Sequence, residues 1–444
     1  LGFTLEGMEA QFPPAYTIWM AQSVGVFGRM GVIGFNPVLA ALTVPLFYGL
    51  ARRFLDRPAS LVALCVFLLT PTQIWMPRIT LSEIAAQHFF FAAMLLITGG
   101  WLDRRVRSVV LGGLTLGGVY WVRIDGLVIA PIMVVALAAA RSWGATDEAA
   151  GTLSRTMTRR LAWTVFAALG LGSLSHYLTS GLYFESIGPK LIHIALLTAL
   201  LIPVALLSLN TRVMGWLALL SRQRLVLLAV VGLLVGLVAW ASWIRPVTEP
   251  FQLNPRDPTK GRTFSENSLV NIVAYLTQPG ALLAFIGLVA AVWAFLRGRM
   301  NRAWYIPFAI WGGYTLLYVY DPNISPDHIW AMRRFVPVIL PGCALLAGLG
   351  FATLARAIRT PSGRGFGAFM VCLILAVIML RGSSIFAFFK EYRGADTFWL
   401  DLDSRIPADS IVFSDTSTLF FDPLYPGLGH RVVRVNLGDL RMPA

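Results

Sequence analysis

The chain has 444 residues, of which 57% are apolar and 13% charged, with a mean hydropathy of +0.70. That composition excludes a soluble globule and is the chemistry of a polytopic helical membrane protein. The formal charge of +14 does not point to nucleic acid, because the arginines come in small groups between apolar runs instead of forming one basic domain.

Taken in order, residues 1–33 read as an outer loop. Phe12-Pro13-Pro14-Ala15-Tyr16 is a stiff turn, since two prolines fix φ and forbid helix before them. From Tyr16 to Phe27 an amphipathic run with Trp19 predicts a short helix lying in the membrane interface. Residues 34–382 hold about twelve apolar spans, at 34–51, 59–76, 84–101, 108–122, 126–140, 161–180, 190–209, 225–244, 270–296, 303–320, 335–355 and 366–380. The sequence therefore predicts an all-α polytopic membrane protein. From 383 to 444 the composition turns polar. Ser410-Ile411-Val412-Phe413-Ser414 and Arg431-Val432-Val433-Arg434-Val435 predict short strands in an incomplete α/β segment. The opening at Leu1 and the ending at Ala444 read as a fragment that lacks at least one N-terminal helix and part of its C-terminal domain.

Charge orients the spans. With Leu1 outside, every inward loop carries at least three arginines, beginning with Arg52, Arg53 and Arg57. The active face and the C-terminal segment then lie outside the cytoplasm. Cys65, Cys343 and Cys372 fall inside apolar runs and read as small buried hydrophobes. His88, His176 and His193 read as hydrogen-bonded core histidines, with no metal-ligand spacing. Asn323-Ile324-Ser325 matches a glycosylation acceptor, a signal common by chance. The proline-rich loop from Arg245 to Ser268 is expected outside, where it is placed to cover a site.

Three polar clusters share the outer face. The first is Pro77-Arg78-Ile79-Thr80-Leu81-Ser82-Glu83, a seam between two spans that reads either as a polar turn or as part of a wet cavity. The second is Trp121-Val122-Arg123-Ile124-Asp125-Gly126, where Arg123 and Asp125 either neutralise each other or serve a ligand. The third runs from Asp327-His328 to Arg333-Arg334-Phe335. Its paired arginines oppose the charge bias of the outer face, which an anion partner explains. A carboxylate that receives a proton and arginines that hold a departing phosphate together suggest group transfer from a lipid phosphate.

In their order, Phe12-Pro13-Pro14-Ala15-Tyr16, Arg78 to Glu83, Gly117 to Asp125, and Arg334-Phe335-Val336-Pro337-Val338-Ile339-Leu340-Pro341 resemble the GT-C glycosyltransferases. The group of greatest resemblance is the protein O-mannosyltransferase and aminoarabinose transferase-like one. The resemblance implies a GT-C-like helical bundle that moves a sugar from a polyprenyl-phosphate donor to an acceptor hydroxyl on the extracytoplasmic face, among membrane lipids. It implies Glu83 as the catalytic carboxylate. Arg78, Arg123, Asp125, His328, Arg333 and Arg334 fall on the phosphate side, and Pro13, Pro14 and Tyr16 on the acceptor side. A divalent cation could bridge phosphate and carboxylate in such a site, and the sequence alone does not decide whether a cofactor is used. The chain departs from the family pattern twice. Phe335 stands where the family carries tyrosine, and the family's first-loop carboxylate has no match beyond the nearby Glu6 and Glu9. A lipid-linked polysaccharide polymerase or ligase, and a lipid or sugar transporter, are the rival readings.

Overall fold

The computed structural model describes residues 2–4, 7–9, 13–142, 148–207, 223–248, 265–322, 332–358, 360–388, 394–407, 409–414 and 431–434. Two short strands, β1 (Gly2–Thr4) and β2 (Gly7–Glu9), pair antiparallel at the start. The helices that follow are α1 (Pro14–Phe27), α2 (Arg29–Phe54), α3 (Arg57–Leu69), α4 (Pro71–Trp75), α5 (Ser82–Leu102), α6 (Val106–Val122), α7 (Ile129–Ser142), α8 (Glu148–Thr179) and α9 (Gly181–Leu207). After them come α10 (Arg224–Ala239), α11 (Ser268–Leu296), α12 (Tyr305–Tyr320), α13 (Ile339–Leu354) and α14 (Pro361–Phe388).

Each of the twelve apolar runs meets a helix, but not always a full span. Among the described residues, eight helices are long and apolar enough to cross a membrane, or nine if the bent pair Arg57–Leu69 and Pro71–Arg78 counts as one. The bend, of 61°, has a local cause. Asp56 caps α3 by accepting from the Ala59 amide at 3.0 Å, and Pro71, which lacks an amide hydrogen, forces a new helix after Thr70. Val106–Val122 and Ile124–Ala140 are shorter apolar helices, and α12 has 16 residues.

α5 packs on α6 and α2, while α13 packs on α11 and α3. α11 and α13 meet backbone to backbone. A Cβ on Gly287 would lie 1.9 Å from the Leu346 carbonyl oxygen, and one on Gly350 would lie 2.0 Å from that of Leu283. In lipid, where apolar burial drives helix association weakly, such close approach supplies the packing instead. α9 and α10, by contrast, carry large apolar side chains that are mostly exposed, as helices facing lipid do.

The proline-rich loop is helical at its start. Helix continues from α10 through a π-helical turn, Trp240–Ile244, to Thr248, because buried Arg245 donates to the Val319 and Tyr320 carbonyls at 2.8 and 2.9 Å at the end of α12. Positions 249–264 of that loop, His328 and the Asn323-Ile324-Ser325 sequon lie outside the described residues.

By internal contacts the chain divides into Leu1–Ala387 and Phe388–Ala444, and α14 runs without a break through position 383, where the sequence changes character. The second unit holds α15 (Ala395–Arg405) and two strands, β3 (Ile411–Ser414) and β4 (Arg431–Arg434). The strands pair in parallel, with Ile411 opposite Arg431.

Candidate functional site

Local structure explains how each polar cluster is presented. In the first, Met76–Arg78 makes a single 3-10 turn around Pro77, and the chain then runs extended to Leu81. Extended backbone inside a membrane protein leaves carbonyls to satisfy. Asn36, on α2, does so by donating to the carbonyls of Ile79 and Leu81 at 2.6 and 2.8 Å. α5 starts at Ser82, so Glu83 falls in its first turn, where the helix dipole favours a carboxylate. In the second cluster, Arg123 ends α6 in extended conformation, and a 3-10 turn, Ile124–Val128, leads into α7. That turn folds back so tightly that a Cβ on Gly126 would lie 2.6 Å from the Tyr120 backbone. In the third, Met332 to Val338 is an irregular turn ahead of α13, anchored by buried Phe335 and Val336.

These pieces converge. Glu83 is fully buried, and its Oε1 is bound on two sides at 2.5 Å, by Arg123 and by the Nε of Arg333. Arg123 also reaches Asp125 at 2.8 Å, so it bridges the two carboxylates. Arg334 approaches the same Asp125 oxygen at 3.3 Å, and its guanidinium lies 5.7 Å from the centre of the Tyr318 ring. Asp125 is held further by α12. The Tyr318 hydroxyl donates to its carboxylate at 2.6 Å, and the Tyr314 hydroxyl donates to its backbone carbonyl at 2.9 Å. Three guanidinium groups thus surround two carboxylates, leaving one positive charge in excess among the five. Glu83 Oε2 and Arg334 Nε have no hydrogen-bond partner among the described residues.

A cavity of about 530 Å³ opens on this cluster. Glu83, Arg123, Asp125, Arg333 and Arg334 line it, and Pro13, Tyr16 and Met20 of the N-terminal turn and α1 face them. Burial pushes the Tyr16 phenol above its ordinary pKa, so it lines the wall as a neutral hydroxyl. Pro14 occupies the first position of α1 and does not line the cavity. Arg78 stands apart: it is exposed, lies 5.7 Å from the centre of the Trp75 ring and donates to the Ala387 carbonyl at 3.5 Å. The seam therefore brings Glu83 to the cavity and leaves Arg78 outside its lining.

Four residues outside the sequence-based candidates hold the arrangement: Tyr314, Tyr318, Gln73 and Gln87. The two glutamines exchange hydrogen bonds at 3.1 and 3.2 Å, and Gln87 also donates to the Val336 carbonyl at 2.8 Å. That clamp ties α4 and α5 to the turn bearing Arg333 and Arg334. The signal for Gln87 was its place four residues after Glu83, on the same helix face. Among the described residues, no three His, Cys, Asp or Glu side chains gather as a metal-ligand set. Both carboxylates at the cavity are bound by arginine.

No protein-family model matches the chain, and no curated protein is similar to it in sequence. Solved structures do match. The oligosaccharyltransferase of Archaeoglobus fulgidus in its apo form superposes with a TM-score of 0.59 at 15% identity, over 96% of this chain and 56% of that one. The same enzyme tethered by a disulfide to an acceptor peptide containing the NVT sequon matches with a TM-score of 0.57, at 14% identity over the same shares. Its complex with zinc and sulfate matches at 0.56 and 14%, over 96% of this chain and 54% of that one. The chain thus spans a little over half the length of the oligosaccharyltransferase it matches. Superposed over nearly its whole length on three structures of that one enzyme, the chain has the fold of the matched part of the oligosaccharyltransferase.

Proposed function

We propose that the chain is the membrane part of a glycosyltransferase that moves a sugar from a polyprenyl-phosphate donor to an acceptor hydroxyl on the extracytoplasmic face. The observation that carries this reading is the 530 Å³ cavity in which Glu83 and Asp125 are tied to Arg123, Arg333 and Arg334. In the reaction, the acceptor oxygen forms a bond to the anomeric carbon from the face opposite the phosphate. The bond from that carbon to the phosphate oxygen breaks, and its electron pair leaves with the lipid phosphate. The phosphate passes from one negative charge to nearly two as it departs. Arginines aimed at it bind the transition state more strongly than the ground state, which is what accelerates a reaction.

Arg334 is the first phosphate ligand in this reading, because its Nε has no partner among the described residues and its side chain lines the cavity. Arg333 stands beside it. Glu83 holds Arg123 and Arg333 through Oε1 and offers Oε2 to the acceptor hydroxyl, fixing its line of attack. A carboxylate bound by two arginines is a weak base. The hydroxyl turns strongly acidic as its oxygen bonds to the anomeric carbon, so at that point even this weak base, Glu83 Oε2 on the acceptor's side, takes the proton. Asp125 orients Arg123 and Arg334. Pro13, Tyr16 and Met20 form the wall against which the acceptor lies. The fold shared with an oligosaccharyltransferase supports a second reading, transfer of a longer lipid-linked glycan at the same site.

The test supplies the full-length protein in vesicles with a labelled polyprenyl-phosphate sugar and candidate acceptors. Glu83→Gln removes the charge that Arg123 and Arg333 share, a loss worth about 3–5 kcal/mol for a buried pair. It and Arg334→Ala are each expected to cut transfer at least about tenfold, while Arg78→Ala stays within about twofold. Full transfer by Glu83→Gln and Arg334→Ala would remove the site assignment. Label entering the vesicles without transfer would favour a transporter.

A further inference from the structure

α13 connects two different sites. Arg334 stands in the turn five positions before its first residue and Arg356 two positions past its last, so the two arginines flank 16 residues of helix, about 24 Å. At the Arg356 end is a second cavity, of about 860 Å³, beside the Gly287 and Gly350 crossing. Its walls are apolar. Phe285, Val289 and Trp293 of α11 line it at four-residue spacing, opposite Leu349 and Thr353 of α13. Phe54, the last residue of α2, closes the remaining side against Trp304, with ring centroids 3.8 Å apart. At one end, Arg299 and Arg356 reach the lining, both exposed and neither in an ion pair among the described residues.

We propose that this cavity binds one anionic phospholipid, with an acyl chain along the α11 wall and the headgroup phosphate between Arg299 and Arg356. Length, surroundings and charge agree on that occupant. From Phe285 to Trp293 is eight residues of helix, about 12 Å, which is close to one leaflet of a hydrocarbon core of about 30 Å. The walls belong to helices that meet the length and hydropathy of membrane spans, so the medium beside them is hydrocarbon. Water in an apolar slot of this size would find too few polar partners. Two guanidinium groups just past the ends of two membrane-length helices, α11 and α13, match a lipid phosphate in charge and in paired donors. Arginines that only set topology need no cavity.

The proposal goes beyond the transferase reading and is tested without it. The full chain is purified in mild detergent and exchanged into phosphatidylcholine nanodiscs with and without phosphatidylglycerol. Native mass spectrometry then counts retained lipid. The expected result is one retained phosphatidylglycerol, reduced about tenfold in Arg299→Ala/Arg356→Ala. Ala290→Phe, which fills the wall and keeps both charges, is expected to reduce it comparably. Arg155→Ala/Arg159→Ala, which removes two arginines lining a separate cavity, is expected to keep it. Retention that survives Ala290→Phe, or falls equally in the Arg155 and Arg159 variant, would overturn the proposal in favour of general surface attraction. Displacement of the lipid by inorganic phosphate would overturn it as well, because the acyl chain would then add nothing.

Discussion

At the scale of single residues, the candidate site is a set of buried and half-buried charges that are costly singly and stable together. Tyr318 shows the effect most simply. Its hydroxyl donates at 2.6 Å to Asp125, which already accepts from Arg123 and Arg334, while its ring lies near the Arg334 guanidinium. Tyr318→Phe keeps the ring and removes only the hydroxyl. A hydrogen bond to a charged group contributes about 1.5–3 kcal/mol, and thermal unfolding in detergent is expected to register a loss in the lower part of that range. An unchanged melting temperature would mean that the arginines alone hold Asp125. The sequence named Glu83, Arg123, Asp125, Arg333 and Arg334 because charge inside apolar surroundings is conspicuous. It passed over Tyr314 and Tyr318, because two tyrosines in an aromatic-rich helix look like core. Arg78 was conspicuous for the same reason as Glu83, yet its side chain lies over Trp75, outside the cavity lining. Adjacency in sequence does not decide which way a side chain leaves a 3-10 turn.

At the scale of elements, the distant parts of the site are joined by neutral polar side chains. Gln87 joins α5 both to α4, through Gln73, and to the turn before α13, through the Val336 carbonyl. Gln87→Leu would leave the Gln73 amide and that carbonyl unsatisfied in a buried setting, costing about 1–3 kcal/mol each. Unfolding in detergent is expected to show that loss, and Gln73→Leu/Gln87→Leu is expected to recover part of it. Simple addition of the two single-variant losses would show that the glutamines do not act as a pair. Helix existence at each apolar run was legible from hydropathy. The break at Thr70 and Pro71 was not, because 59–76 reads as one continuous apolar run and proline stops a helix only where no neighbour re-satisfies its backbone. The continuation of helix to Thr248 was hidden for a similar reason, since it depends on Arg245 meeting the end of α12.

At the scale of the whole molecule, the arginine bias of alternate loops makes a sidedness prediction. In sealed vesicles, Ser82→Cys is expected to react with a membrane-impermeant thiol reagent from the extracytoplasmic side, and Arg57→Cys from the cytoplasmic side. The reverse pattern would invert the topology and, with it, the access of any lipid-linked donor to the cavity. The tie between Glu83 and Arg333 also has a consequence for how the molecule is made. The two residues are 250 positions apart. At about 5–20 residues per second, the ribosome needs about 12–50 s to add Arg333 after Glu83, but only about 2–8 s to add Arg123. During that interval Arg123 is the partner that makes an ionised Glu83 tolerable in a half-built bundle. Pulse-labelling should therefore find Arg123→Ala poorly inserted and rapidly degraded, whereas Arg333→Ala inserts normally and falters only once the chain is complete. Equal loss in both variants would mean that Glu83 enters the membrane uncharged. On this account the turn after α6 is an assembly aid before it is part of a site, neutralising a charge whose final partner has not yet been synthesised.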